Sequence, residues 1–423
     1  MMKLISKIIL RQKIQWRLIR AYNRLISPYK SASHNIVIIP CDFEYIGGSR
    51  GDEAMIMGTI DYYKDKDKNT DSIIHIACFN DNGKNYVNNL GIENVQPLDL
   101  SGCAYNIYKS YKRIVSITPS DVAILGADCM DGYYSDYTSI YLLALHDILS
   151  LISVCKSNLL GFSFNEQANP TVVKAFRKVS DNTEISIRDN VSLKRFVSKT
   201  NKKANLTTDV AFLLKPTVNF EGYVQLQNWI NKKKKEDIRF IGFNFHPMLK
   251  SYSSEMEMKD DAIIVAKNLE YILKENLDLY IVLIPHDNRS RISDTLMLDY
   301  IYEFLKRNGV SNRVYYDTNV YHANQIKGLV GLLDGMVTSR MHLAIACLGQ
   351  GVPVMSASYQ GKFEGLFEHF GLSKYYILDS SKFLSNDFNR VFSIFYNELD
   401  SLKVRINNAI GMVLEMSRKN FKQ

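Results

Sequence analysis

Ser339, Arg340 and His342 lie at a turn between an apolar run, Gly335-Met336-Val337-Thr338, and the helix formers Leu343-Ala344-Ile345-Ala346-Cys347-Leu348. Gly349 and Gly351 end that helix, and Val352-Pro353-Val354-Met355-Ser356-Ala357 reads as a second strand. The first-turn N–H groups of a helix have no intrahelical partner, and the helix dipole adds partial positive charge there. A guanidinium and an imidazole at such a turn suit the capture of an anion, a phosphate or a carboxylate. With an ordinary pKa near ~6.5, the histidine can also exchange a proton at neutral pH or hold phosphate as a cation.

A second loop, Gly47-Gly48-Ser49-Arg50-Gly51-Asp52-Glu53-Ala54, separates the first strand from the first helix, where α/β folds bring backbone close to a ligand. It is neither a G-x-G-x-x-G dinucleotide fingerprint nor a P-loop with its Lys-Ser/Thr, and it also fits a tight turn with an Asp-Glu cap. His246 and His286 each end an apolar run in the C-terminal half and rank second, because a lone strand-end histidine is more often simply hydrogen-bonded. No His/Cys/Asp cluster has metal-ligand spacing, so no metal is expected. The six cysteines form no C-x-x-C pair, which fits free thiols in a reducing, cytoplasmic compartment.

Strands and helices alternate around these positions. The N-terminal half offers strands at 35–40, 73–79, 121–127, 159–164, 184–189 and 205–212, with helices at 139–155 and after Pro170. Asp128 follows the third of those strands. Four consecutive lysines within 231–237 mark a solvated connection, after which the alternation restarts. The C-terminal half offers strands at 238–246, 279–285 and 314–316, helices at 260–276, 293–307 and from Tyr321, the turn described first, and a final helix or helix pair at 384–418. Such alternation implies parallel βαβ units. The expected fold is α/β, two Rossmann-like domains facing a cleft. Its parts are an arm at 1–33, domains at 34–230 and 231–395, and a C-terminal helix at 396–423.

The net charge of +8 resides in the arm. Residues 1–30 hold eight Lys and Arg and no acid, leaving 44 basic and 44 acidic groups for the rest. A neutral body excludes a generic nucleic-acid binder. Leu4, Ile5, Ile8, Ile9, Trp16, Ile19, Tyr22 and Ile26 recur at helical spacing. This basic amphipathic helix reads either as a separable anchor on an anionic membrane surface, or as a helix packed on the body or a partner. As an anchor, it would be removable without altering catalysis. No run reaches the ~18 apolar residues of a membrane span; the most apolar stretch, 140–155, is broken by His146 and Asp147 and fits a buried helix.

The motifs together resemble the polysaccharide pyruvyl transferase family. The match rests on Thr338-Ser339-Arg340-Met341-His342-Leu343-Ala344-Ile345-Ala346, then Gly351-Val352-Pro353-Val354, then Tyr359-x-x-Lys362. Gly51-Asp52-Glu53-Ala54, Ile187-Arg188-Asp189 with Ser192, and Asp209-x-Ala211-Phe212 support it. Two segments depart: Gly126-Ala127-Asp128 stands where the family often has a glycine run, and Phe162-Ser163-Phe164-Asn165 where it has a Gly-rich, Pro-containing one.

The resemblance implies a GT-B-like fold, with the N-terminal domain on the acceptor side and the C-terminal domain on the donor side. It implies transfer of pyruvate from phosphoenolpyruvate, as donor substrate and without a cofactor, to a sugar of a cell-surface polysaccharide or its lipid-linked precursor. Arg340 and Arg188 would bind the donor with Ser339 and Lys362, and His342 would touch the phosphate or act as an acid. From their own positions in loops after N-terminal-half strands, Asp52 and Asp128 could each orient or deprotonate an acceptor hydroxyl, or simply cap a helix. The alternatives are a GT-B glycosyltransferase using a nucleotide sugar, and a glycan-assembly partner without turnover.

Overall fold

The computed structural model describes residues 2–66, 71–234, 238–247, 250, 252, 254–287, 293–358 and 361–422. The chain forms two compact units, Met1–Gly47 with Met55–Leu214 and Leu414–Gln423, and Gly48–Ala54 with Lys215–Val413.

The first unit is built on β1 (Asn35–Ile39), β2 (Ile73–Cys78), β3 (Val95–Asp99), β4 (Asp121–Ile124) and β5 (Lys156–Leu159), in the order β3-β2-β1-β4-β5. All four pairings are parallel. Central β1 reads Asn-Ile-Val-Ile-Ile, with Val37, Ile38 and Ile39 fully buried, the continuous apolar run of a strand covered on both faces. The edge strand β3 carries Gln96, Pro97 and Asp99; its proline is tolerable because an edge N–H need not join a ladder. A second, two-stranded sheet pairs β6 (Ser186–Ile187) with β7 (Asn205–Leu206). The strand expected at 159–164 lies earlier, at Lys156–Leu159, and Phe162 instead bridges to Ile187.

Around these strands lie α1 (Met2–Leu25), α2 (Arg50–Lys66), α3 (Asp81–Asn89), α4 (Ile107–Val115), α5 (Asp136–Leu149), α6 (Pro170–Phe176) and α7 (Asn190–Thr200). The apolar stretch at 140–155 is mostly α5, buried from Thr138 to Leu149. Its two polar residues are structural. His146 meets Ser157 Oγ and the Glu184 carbonyl, and burial pulls its pKa down to about 4, so it sits neutral. The Asp147 carboxylate accepts from Trp16 Nε1 (2.7 Å), Ser180 N and Thr183 Oγ1, with Arg20 Nε at 3.6 Å.

Those contacts revise the arm. Helix α1 belongs to the first unit: Ile9, Gln12, Trp16, Ile19 and Asn23 form a buried stripe. Gln12 and Asn23 donate to the carbonyls of Tyr137 and Ile148. Of the two readings of the arm, packing on the body is realised along this stripe, so deletion of residues 1–30 would strip a side from α5 rather than release a tether. Trp16→Ala is accordingly expected to cost ~3–5 kcal/mol, as for other buried aromatic truncations, read as a lower urea midpoint. A change under ~1 kcal/mol would make α1 peripheral to the fold.

The second unit holds a six-stranded parallel sheet of β8 (Arg239–Phe243), β9 (Leu279–Leu283), β10 (Val314–Tyr316), β11 (Gly335–Thr338), β12 (Val354–Ser358) and β13 (Ile377–Asp379). The order is β10-β9-β8-β11-β12-β13. Its helices are α8 (Glu221–Lys233), α9 (Glu255–Glu275), α10 (Asp294–Arg307), α11 (Ala323–Val330), α12 (Met341–Leu348), α13 (Phe363–His369), α14 (Ser380–Phe383), α15 (Asp387–Asn397) and α16 (Leu399–Arg418). The boundary expected at 231 falls inside α8; the chain passes between units at Leu214 and Lys215. Residues 48–54 join the second unit, and the last ten residues, the end of α16 included, join the first. Asn420 there accepts from Gly161 N and donates to the Thr208 carbonyl.

Candidate functional site

In the second unit the strand order reverses between β8 and β11, since β9 and β10 continue to one side and β12 and β13 to the other. Open parallel sheets bind ligands outside the carboxyl ends of the strands at such a reversal. Asn244, Phe245 and His246 follow β8 there, and Ser339 and Arg340 follow β11. Ser339 Oγ accepts from His246 N at 2.6 Å and ties the two strand ends together. A pocket of about 120 Å³ opens here, lined by Ser49, Gly51, His246, His286, Ser339, Arg340, Met341, His342, Ser358, Lys362 and Phe363.

Arg340 caps α12 with extended backbone, and its own N–H donates to Thr338 Oγ1 at 3.0 Å. Its guanidinium sits against two carboxylates. Nη2 lies 2.6 Å and Nε 3.2 Å from Asp294 Oδ1, and Nη1 lies 3.1 Å from Asp287 Oδ2. Asp294 is fully buried and also accepts from Asn244 Nδ2, His286 N and Asp287 N. The arginine is therefore fixed in orientation. Among the described residues each terminal nitrogen makes one such contact, and a guanidinium held this way can still offer its remaining N–H groups to a carboxylate or phosphate.

His286 is buried, and its Nδ1 has no hydrogen-bond partner among the described residues. Burial, reinforced by Arg340 and His342, holds its pKa well below the ordinary histidine value, so it is neutral. His342 stands on the first turn of α12, with the backbone of Gly51 against its ring: a Cβ on Gly51 would overlap Nδ1. The glycine of the Gly-Asp-Glu-Ala loop thus serves close approach to an imidazole.

The sequence profile of the family described as Polysaccharide pyruvyl transferase matches residues 50–361, the larger part of the chain, including the 48–54 segment from Arg50 on and the whole Ser339–His342 turn. The chain belongs to the polysaccharide pyruvyl transferase family. No curated protein sequence matches it. Among solved structures, a UDP-N-acetylglucosamine 2-epimerase is 13% identical with a TM-score of 0.55, over 92% of this chain and 95% of that one. The S. aureus MnaA–UDP co-structure is 12% identical with a TM-score of 0.52, over 89% and 91%. A UDP-GlcNAc 2-epimerase from Methanocaldococcus jannaschii is 12% identical with a TM-score of 0.50, over 83% and 90%. Likeness at that identity is one of fold, and the fold of this family member is GT-B-like.

Six of the residues marked from the sequence meet in the pocket: Arg340, His342, Ser339, Lys362, His246 and His286. Asp52 lies in the first turn of α2, half-buried, next to pocket-lining Gly51. Asp128 and Arg188 belong to the first unit. Asp128 follows β4 beside the β1/β4 reversal of that sheet, and Ala127 before it takes φ +47°, a left-handed conformation glycine would hold more easily. Arg188 is buried, with Nη1 2.8 Å from Asp209 Oδ2 and Nε donating to Ser163 Oγ at 2.7 Å. The departing segment 162–165 thus supplies an arginine partner. Tyr359 lies outside the described residues. Asp287 and Asp294, which fix Arg340, are absent from the sequence-derived candidates; Ser293-Asp294 is legible only as a helix start.

The loop carrying Gly51 is held by Glu53. This buried carboxylate accepts from His322 Nδ1 (2.7 Å) and Ala323 N (2.9 Å) at the start of α11, and from Arg50 Nη1 (2.9 Å) of its own helix. Burial alone would raise the Glu53 pKa, but the hydrogen bond from His322 and the charges of Arg50 and His322 outweigh it and leave it lowered. The His322 pKa is raised, chiefly by its bond to Glu53. The Glu53 contribution is present above the usual glutamate range and lost as pH falls through its depressed pKa. The His322 contribution is complete below ~6.5 and lost as pH rises through its elevated value. The hold on residues 48–54 should therefore loosen on the alkaline side. Amide-exchange protection of that segment is expected to fall there, and His322→Gln to abolish the pH dependence; protection that is pH-flat in the parent would break the argument.

Proposed function

We propose that this family member transfers the pyruvyl group of phosphoenolpyruvate to a sugar of a cell-surface polysaccharide or its lipid-linked precursor, forming a ketal and releasing phosphate. The observation that carries the reading is the Arg340 guanidinium, fixed by Asp287 and Asp294 and lining one pocket with His342 and Lys362. Phosphoenolpyruvate carries a carboxylate and a phosphate on adjacent atoms, and a pocket lined by Arg340, His342 and Lys362 suits so small an anion. Its volume of about 120 Å³ suits a ligand as small as phosphoenolpyruvate.

In the reaction a proton reaches the methylene carbon, C2 gains cationic character, and a sugar hydroxyl attacks it. The C2–O bond to phosphate breaks and a second hydroxyl closes the ring, so the two hydroxyl protons end on the methyl carbon and the phosphate. His342 is the acid or the phosphate ligand. His286, held neutral, is not that acid and acts as a hydrogen-bond partner or base. Ser339 and Lys362 complete the donor side, and His246 braces it through Ser339. Arg188 is further assigned to the donor for its guanidinium at a strand end, and Asp52 and Asp128 to an acceptor hydroxyl for their positions after strands; single substitutions test each. The six free thiols fit a cytoplasmic enzyme.

Purified protein with phosphoenolpyruvate and the pathway glycan is expected to release phosphate and leave a pyruvyl ketal visible by mass spectrometry. Titration calorimetry against phosphoenolpyruvate and against nucleotide sugars provides the contrast. Binding of a nucleotide sugar without phosphoenolpyruvate would sink the proposal in favour of the glycosyltransferase reading.

A further inference from the structure

Helix α1 has a second apolar stripe, opposite the one that packs on the first unit. Leu10, Ile14, Leu18, Tyr22 and Leu25 recur at four, four, four and three residues and are 60%, 50%, 66%, 48% and 85% exposed. The periodicity in the sequence merged the two faces: Ile9, Trp16 and Ile19 point inward, whereas Leu4, Tyr22 and Ile26 lie outside. Five large side chains aligned on one exposed face exceed the scattered exposure usual for soluble surfaces.

What flanks the stripe identifies its partner. On one side a groove of about 350 Å³ against α6 is lined by Lys13, Arg17, Arg20, Lys174 and Lys178 with Trp16, and by no carboxylate among the described residues. Asp147 takes Arg20 from beneath, and Asp136 lies near enough to act on Lys13, but the remaining cations outnumber them. Their crowding registers on Lys13, whose pKa is lowered, first by burial and then by Lys178. On the other side a mostly apolar groove of about 600 Å³ against α4 is lined by Leu18, Ile19, Tyr22, Tyr108, Tyr111 and Val115, with Gln15, Pro28 and the cation Lys112. An exposed apolar stripe between a cationic groove and an apolar one, on a segment without a single acid, matches an anionic bilayer surface: acyl chains against the leucines, phosphates against the lysines. An acidic protein would match the cations but not the width of the apolar face.

We propose that the first unit docks on anionic phospholipid membrane through the outward face of α1, with Ile14, Leu18, Tyr22 and Leu25 making the apolar contacts and Lys13, Arg17, Lys174 and Lys178 holding lipid phosphate. Neither part suffices alone, because stable peripheral attachment takes both an apolar and an electrostatic contribution. The proposal does not rest on the donor chemistry, since none of these residues lines the pocket of the second unit.

The test is sedimentation of the full chain with vesicles of phosphatidylcholine, with and without one-third phosphatidylglycerol, at physiological salt. Binding is expected to the anionic vesicles only. Leu18→Asp with Leu25→Asp, and separately Lys174→Glu with Lys178→Glu, are each expected to weaken it at least ~10-fold. Both pairs are exposed, so circular dichroism, thermal midpoint and phosphate release on a soluble acceptor should stay at parent values. Failure of the parent to bind anionic vesicles overturns the proposal. So does parent-like binding by the leucine pair, which would mean adsorption by charge alone. A concentration-dependent dimer split by the leucine pair, with no vesicle binding, would assign the stripe to a second copy of the chain instead.

Discussion

Arg340→Lys should lower phosphate release from phosphoenolpyruvate by ~10²–10³-fold while leaving the protein folded, the magnitude seen when one donor to a developing charge is removed. An ammonium can still neutralise Asp294, but it lacks the planar array that faces Asp294, Asp287 and a ligand at once. Arg340→Ala gives a less clean readout. The arginine is the counter-ion of a fully buried carboxylate, so removing it strands charge in the core and is expected to cost ~3–5 kcal/mol of stability besides activity. An inactive alanine variant would then not separate binding from folding. Pairing Arg340→Met with Asp294→Asn removes both charges and should recover much of the stability without activity. Parent kinetics in Arg340→Lys would confine the guanidinium to holding the two aspartates and remove it from the donor.

The contrast between what can be read and what cannot follows from distance along the chain. Central strands β1, β8 and β11 are apolar runs because parallel strands are covered on both faces, and each is legible by itself. The Ser339–His342 turn is legible for the same local reason, as a strand end meeting a helix start. Edge strand β3 escapes a reading from sequence because Gln96, Pro97 and Asp99 break the pattern that interior strands display. The aspartates around Arg340 come from 53 and 46 residues away, and nothing local to Asp287 or Asp294 announces the partner. The arm shows the same limit. Helical spacing reveals that α1 is amphipathic, but only packing shows that it has two apolar faces and which one is spent on α5. For Arg188, the departure at 162–165 stands out in the sequence as a family difference, whereas its physical content is the Ser163 hydroxyl that meets the guanidinium.

Gly51→Ala is expected to cut turnover by ~10²-fold or more without destabilising the protein, and the two halves of that statement have different causes. An added Cβ would overlap His342 Nδ1 and approach Cε1 and Cγ to 2.9 Å. The ring is rigid, so relief requires the imidazole to swing away, and displacement of a reacting group by about 1 Å can cost ~10²-fold. The backbone at Gly51 lies in the first turn of α2, outside the left-handed region, where alanine is the better residue by up to ~1 kcal/mol. Melting temperature should hold or rise while kcat falls, opposite to the behaviour of a damaged core. A double-mutant cycle decides whether the histidine is the route. In a His342→Ala background the ring is gone, the new methyl has room, and Gly51→Ala should add nothing. If the two substitutions instead multiply, the glycine acts through something other than His342. If Gly51→Ala alone keeps full activity, the position of that imidazole does not matter to turnover, and His342 loses its assigned role along with it.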